Sequence, residues 1–131
     1  MQQLRTLMLV EDDPHIQEIA KLALETVGGF EVEICELGEQ ALQRAEEIDP
    51  DLILLDVMMP HMDGPTTLRK LRQLPAIEQT PVIFLTAKTR PAEVRELLAL
   101  GAIGVVAKPF NPMGLADEVR AIWEKQTDPA E

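Results

Sequence analysis

Four apolar runs in this chain each stop at residues that can do chemistry. Leu7-Met8-Leu9-Val10 stops at Glu11-Asp12-Asp13, and Leu52-Ile53-Leu54-Leu55 stops at Asp56. Val82-Ile83-Phe84-Leu85 stops at Thr86, and Val105-Val106-Ala107 stops at Lys108. Short runs without polar alternation read as strands buried on both faces, as in the centre of a parallel sheet. Open α/β sheets bind ligands outside the carboxyl ends of their strands. If these strands lie parallel, an acid cluster, a hydroxyl and an amine converge on one edge. A few carboxylates suit Mg²⁺ better than a full calcium cage. The amine and the hydroxyl suit phosphoryl oxygens.

Each residue also has a plainer reading. Glu11 and Asp12 could be solvated acids, and Asp13 is best read as the N-cap of a helix with Pro14 in its first turn. Asp56 could be a turn residue, Thr86 an ordinary strand end and Lys108 a surface lysine. Taken singly these readings compete evenly with chemistry. Four such residues on successive strand ends outweigh them.

The intervening segments must be the elements that position these ends. Ile16, Ile19, Ala20, Ala23 and Val27 recur at helical spacing, and Gly28-Gly29 ends that helix. Residues 30–34 alternate strictly, as in a half-exposed edge strand. A short helix is expected over 39–47. Leu68 and Leu71 mark a third helix after Asp63-Gly64-Pro65, a turn to which no chemistry is assigned. A fourth helix starts near Pro91, carries Val94, Leu97 and Leu98, and stops at Gly101. A fifth starts at Asn111-Pro112, with Leu115, Val119 and Ile122 on one face. Five strands alternating with five helices require right-handed crossovers and a sheet covered on both faces. The expected fold is α/β, a flavodoxin-like doubly wound (βα)5 with parallel strand order 2-1-3-4-5. Its switch point falls beside Asp12 and Asp56. The expected domain is 1–125, with a polar, frayed tail over 126–131.

Composition narrows the function. The 131 residues suit one domain, and 46% apolar content with 3% aromatic content predicts an aliphatic, Met-rich core. Leu97, Leu98 and the methionines are assigned to that core. Acids outnumber bases 23 to 12, for a net charge of −11. That disfavours nucleic acid and anionic membranes as partners. Cys35 is the single cysteine, so neither an internal disulfide nor a zinc cluster can form. With no signal peptide or spanning stretch, a cytoplasmic location is expected. His15 and His61 are read as surface residues. There is no hydrolase triad, and the glycines make no phosphate loop or dinucleotide fingerprint.

Val10 through Pro14, the run from Asp51 to Asp56 with Val57-Met58-Met59-Pro60 and Asp63-Gly64, Leu85-Thr86-Ala87, and Ala107-Lys108-Pro109-Phe110 together resemble the receiver domain of two-component response regulators. The resemblance runs from about Arg5 to Lys125, and order and spacing match together. It implies that Asp56 is the phosphoacceptor, taking a phosphoryl group from a phosphohistidine on a sensor kinase or phosphotransfer protein. It implies that Asp12, Asp56 and the Met58 backbone carbonyl ligate Mg²⁺, or Mn²⁺ in its place, with Glu11 acting through a metal-bound water. Thr86, Lys108 and the Ala87 backbone amide would contact phosphoryl oxygens, and the Lys108–Pro109 bond would be cis. The chain would be primarily a signalling protein that catalyses its own phosphoryl transfer and slow autodephosphorylation.

Two departures stand out. Receivers often carry Tyr or Phe three residues before the lysine, as a switch that turns inward; here Val105 stands there. Ile103-Gly104 replaces an acidic pair after Gly101-Ala102, against the dimer of the DNA-binding regulators. Lys88 lies near the expected path of attacking water and is expected to slow phosphoryl loss. The leading expectation is a stand-alone, chemotaxis-type receiver signalling to a downstream protein through its helix 4, strand 5 and helix 5 face. One alternative is an interaction module that is never phosphorylated. Another is an aspartyl-nucleophile phosphatase, for which Met58 stands where a second Asp would be needed.

Overall fold

The computed structural model describes residues 3–127. Strands β1 (Thr6–Val10), β2 (Glu31–Cys35), β3 (Leu52–Asp56), β4 (Val82–Thr86) and β5 (Gly104–Ala107) form one sheet in order 2-1-3-4-5. All pairings are parallel, as the alternating elements require. The helices are α1 (Pro14–Leu22), α2 (Gly38–Ile48), α3 (Gly64–Leu71), α4 (Pro91–Ala99) and α5 (Leu115–Thr127). The flavodoxin-like expectation is met, with the edge strand at Glu31–Cys35, one residue later than predicted.

Strand side chains alternate between two cores. Leu7, Leu9, Leu52, Leu54, Ile83, Leu85 and Val106 face α1 and α5, where Leu24, Val119 and Trp123 cover them. Met8, Val10, Ile53, Leu55, Val82 and Phe84 face α2, α3 and α4, beneath Ala41, Ala45, Leu68 and Leu97. Every residue of β3 and β4 is buried, which explains why their sequence shows no polar alternation. The only buried methionines among the described residues are Met8 and Met62; Met58 and Met113 are 63% and 69% exposed. Leu98 is also exposed. The core is therefore aliphatic but not Met-rich, and Leu98 does not belong to it.

Two helix starts are capped by aspartates, the first as predicted. Asp13 has extended backbone, and its Oδ1 accepts from the His15 amide at 2.8 Å. Asp63 does the same for α3 through the Thr66 amide, at 2.9 Å. The first helix departs from expectation in its second half, where Ala23–Val27 is π-helical. The Gly28 amide donates five residues back, to Ala23 O. The inserted residue rotates the buried face. Leu24 is fully buried, while Val27, expected inside, is exposed; Ile19, also expected inside, is exposed ahead of this turn. The last helix begins at Leu115, since Asn111-Pro112 lies before it, and it runs to Thr127. The rest of the predicted tail, 128–131, lies outside the described residues.

Candidate functional site

The sheet order sets the acids side by side. Val10 of β1 is in register with Leu55 of β3, so Glu11, Asp12 and Asp56 follow at neighbouring strand ends. Each can offer a carboxylate oxygen within 4.8 Å of the others. Among the described residues they form the one cluster of this kind. Glu11 and Asp56 are 1% and 2% exposed, so the reading of Glu11 as a solvated acid is corrected; Asp12 is half-buried.

Lys108 supplies the counter-charge from beyond β5. Its Nζ donates to Asp56 Oδ1 at 2.9 Å and to Glu11 Oε1 at 3.2 Å. Its own amide donates to Thr86 O at 2.9 Å, and the peptide bond to Pro109 is cis. The Thr86 side chain is buried between these strands, and its Oγ1 accepts from the Lys88 amide at 2.9 Å. Ala87 and Lys88 follow it, exposed. Met58 is exposed two residues after Asp56. The expected residues thus lie along one sheet edge, with Glu11, Asp12, Asp56 and Lys108 in one cluster. His15 and His61 stand outside on the surface.

Burial governs the electrostatics. The Glu11 carboxyl is pushed from 4.5 up to about 7, chiefly because it is desolvated; the Asp13 amide, donating to Oε2 at 3.0 Å, opposes this. The Asp56 charge raises it further, and Lys108 lowers it. Burial disfavours the Lys108 ammonium, but its bond to Asp56 and the charges of Glu11 and Asp56 outweigh that and raise its affinity for the proton. The donor set is oxygen alone, anionic and compact, which fits a hard divalent cation.

Two further contacts were not legible in the sequence. The Gly64 amide donates to Val57 O at 2.8 Å, and a Cβ on Gly64 would stand 2.5 Å from Asp56 O. The Asp63-Gly64-Pro65 turn therefore packs on the backbone that carries Asp56. Its position just downstream of the strand was the available signal. Gln17 in α1 donates through Nε2 to Glu11 O at 2.6 Å, and no sequence pattern marked it.

The model of the response regulator receiver domain matches residues 7–120. The DNA-binding response regulator MtrA of Mycolicibacterium smegmatis is 40% identical over 126 residues, 95% of this chain and 54% of that protein. The transcriptional regulatory protein CpxR of Escherichia coli is 42% identical over 125 residues, covering 92% of this chain and 52% of that protein. The chain thus spans about half the length of these relatives. In structure it resembles the chemotaxis response regulator CheY4 of Vibrio cholerae, with TM-score 0.84, 32% identity, and 92% and 99% of the two chains covered. It also resembles the receiver domain of a Pseudomonas aeruginosa sensor histidine kinase solved with a magnesium ion coordinated in the active site cleft, with TM-score 0.78, 30% identity, and 93% and 97% covered. With that fold, strand-end chemistry and family match, the chain belongs to the response regulator receiver domain family of two-component signalling.

Proposed function

We propose that this chain is a phosphoacceptor: Asp56 takes a phosphoryl group from a phosphohistidine of a sensor histidine kinase or histidine phosphotransfer protein, with Mg²⁺. In this reading a carboxylate oxygen of Asp56 attacks phosphorus, the P–O bond forms, and the P–N bond to the donor imidazole breaks with its electron pair left on nitrogen. Such chemistry needs positioning and charge neutralisation more than covalent help from the protein. Asp12, Asp56 and the Met58 carbonyl would hold the metal directly and Glu11 through water. Mg²⁺ supplies neutralisation of the pocket's carboxylates and of the incoming phosphoryl oxygens. Mn²⁺ can substitute.

The observation that carries this reading is the ion pair of Lys108 with Asp56. An ammonium held on the nucleophile in the resting state is placed to follow the transferred oxygens. Thr86 and the Ala87 amide would contact the same oxygens from the end of β4. The magnesium-bearing Pseudomonas aeruginosa relative supports the metal assignment. An apolar groove of about 340 Å³, lined by Ile16, Ile19, Pro109, Phe110 and Pro112, reaches Ala87 and Lys108. It offers the histidine-bearing donor a surface beside the pocket.

The receiver unit is assigned to 1–125, with 126–131 as a polar extension, in a cytoplasmic protein. Signal output to a downstream protein is assigned to the face of α4, β5 and α5. With Val105 in place of an aromatic switch, the moving parts are Thr86 and its loop, which shift a population between two conformations. The test is phosphotransfer from a histidine-phosphorylated phosphotransfer protein. Transfer should require Mg²⁺ and disappear in Asp56→Asn; transfer that persists in Asp56→Asn would move the acceptor elsewhere. Binding of a downstream partner irrespective of phosphorylation would favour the interaction-module alternative. Turnover of small phosphate esters would favour the phosphatase.

A further inference from the structure

We infer that Gln17 is a positioning residue for the metal pocket, acting through the peptide that joins Glu11 to Asp12. This rests on the Mg²⁺-dependent reading above. The Glu11 amide is fixed to Cys35 O of the edge strand at 3.0 Å. The Glu11 carbonyl accepts from Gln17 Nε2 at 2.6 Å. That carbonyl belongs to the peptide plane whose other end is the Asp12 nitrogen. Its orientation sets the backbone angles on either side, and so the direction in which Asp12 leaves the strand end.

Gln17 is well anchored for the task. It lies in the first turns of α1, and its amide donates to Asp13 O at 2.9 Å. Its side chain is half-buried and reaches back over Asp12 and Asp13 to the strand end. The acid loop is thereby held at both ends by groups that carry no charge. The chemistry of the loop makes this useful. Three carboxylates share one ammonium, so the negative charge that Lys108 leaves uncompensated favours turning Asp12 outward when no cation is bound. A neutral donor on the Glu11 carbonyl opposes that turn without adding a competing ligand. Outer partners that orient metal ligands typically change metal affinity by about tenfold or more.

The test uses Gln17→Met, which keeps length and removes the donor. Mg²⁺ binding is measured by calorimetry on the full chain, and thermal unfolding is measured without metal. Amide NMR shifts of Glu11, Asp12 and Asp13 report the loop directly. The inference predicts that Gln17→Met weakens Mg²⁺ about tenfold with the metal-free melting temperature lowered only slightly. The three loop amides should shift. Parent-like Mg²⁺ affinity in Gln17→Met would overturn the inference and leave the phosphoacceptor reading standing. A large loss of metal-free stability in Gln17→Met would overturn it in favour of a purely structural role. A parent protein that binds no Mg²⁺ would overturn both.

Discussion

Lys108 Nζ stands 2.9 Å from Asp56 Oδ1 and 3.2 Å from Glu11 Oε1, so one ammonium is shared by two buried carboxylates. Those acids lie at the ends of neighbouring strands, and the lysine follows the sheet's far edge strand. The triangle ties three strand ends together at the one place where the proposed chemistry occurs.

Removing the ammonium should therefore cost stability in a pH-dependent way. Lys108→Met leaves the buried Glu11 and Asp56 carboxylates without their counter-charge, at a cost of about 1–3 kcal/mol at pH 8. At pH 6 the loss should be smaller, because Glu11 takes up a proton and one charge disappears. Urea unfolding at the two pH values measures the difference. An equal loss at both would contradict the shared-charge description.

In the proposed reading, Glu11 would also link metal binding to pH. Its carboxyl is raised from 4.5 to about 7, so in the folded, metal-free protein it holds its proton where the unfolded chain would not. Its favourable contribution to stability is full below pH 4.5 and is lost as pH rises through about 7. A bound cation favours the ionised form, so Mg²⁺ should release a proton near neutrality. The apparent affinity should rise with pH and level off above about 7. Calorimetry in buffers of different ionisation enthalpy measures that proton. Glu11→Gln should abolish its release.

The strand ends that carry the site were plain in the sequence, because buried parallel strands allow no polar residue until they reach the ligand edge. Asp56, Thr86 and Lys108 all mark such edges. The edge strand was equally plain from the alternation around Val32 and Ile34. What the sequence concealed depends on tertiary context. Nothing local distinguishes Glu11, which is buried under Lys108, from Asp13, which caps a helix in solvent. The π-helical turn at Ala23–Val27 inserts a residue that no 3.6-residue pattern anticipates. Gly64 looked like turn punctuation, and only packing shows it against the backbone of Asp56.

That contact makes Gly64 a sensitive position. A methyl group there meets Asp56 O at 2.5 Å and Val57 Cα at 2.9 Å, both backbone atoms that yield reluctantly. Gly64→Ala should cost about 1–3 kcal/mol, a typical penalty for overpacking. It should also displace Asp56 and slow its phosphorylation. Denaturant unfolding and phosphorylation rate, measured on the same sample, check the two effects together.

In the proposed reading, Lys88 would set the lifetime of the phosphorylated state. Its amide is bonded to the Thr86 hydroxyl, and its side chain lines a groove with Val57 and Thr86. That places it beside the route by which water would reach an acyl phosphate. Lys88→Ala should shorten the phosphorylated lifetime severalfold. An unchanged decay rate in pulse-chase measurements would remove Lys88 from the mechanism.

The most direct measurement is intact mass after incubation with Mg²⁺ and acetyl phosphate, for the parent and for Asp56→Asn. The parent should gain one phosphoryl group, and Asp56→Asn should gain none. A folded parent that gains nothing, or an equal gain in both proteins, would contradict the assignment of Asp56 as phosphoacceptor.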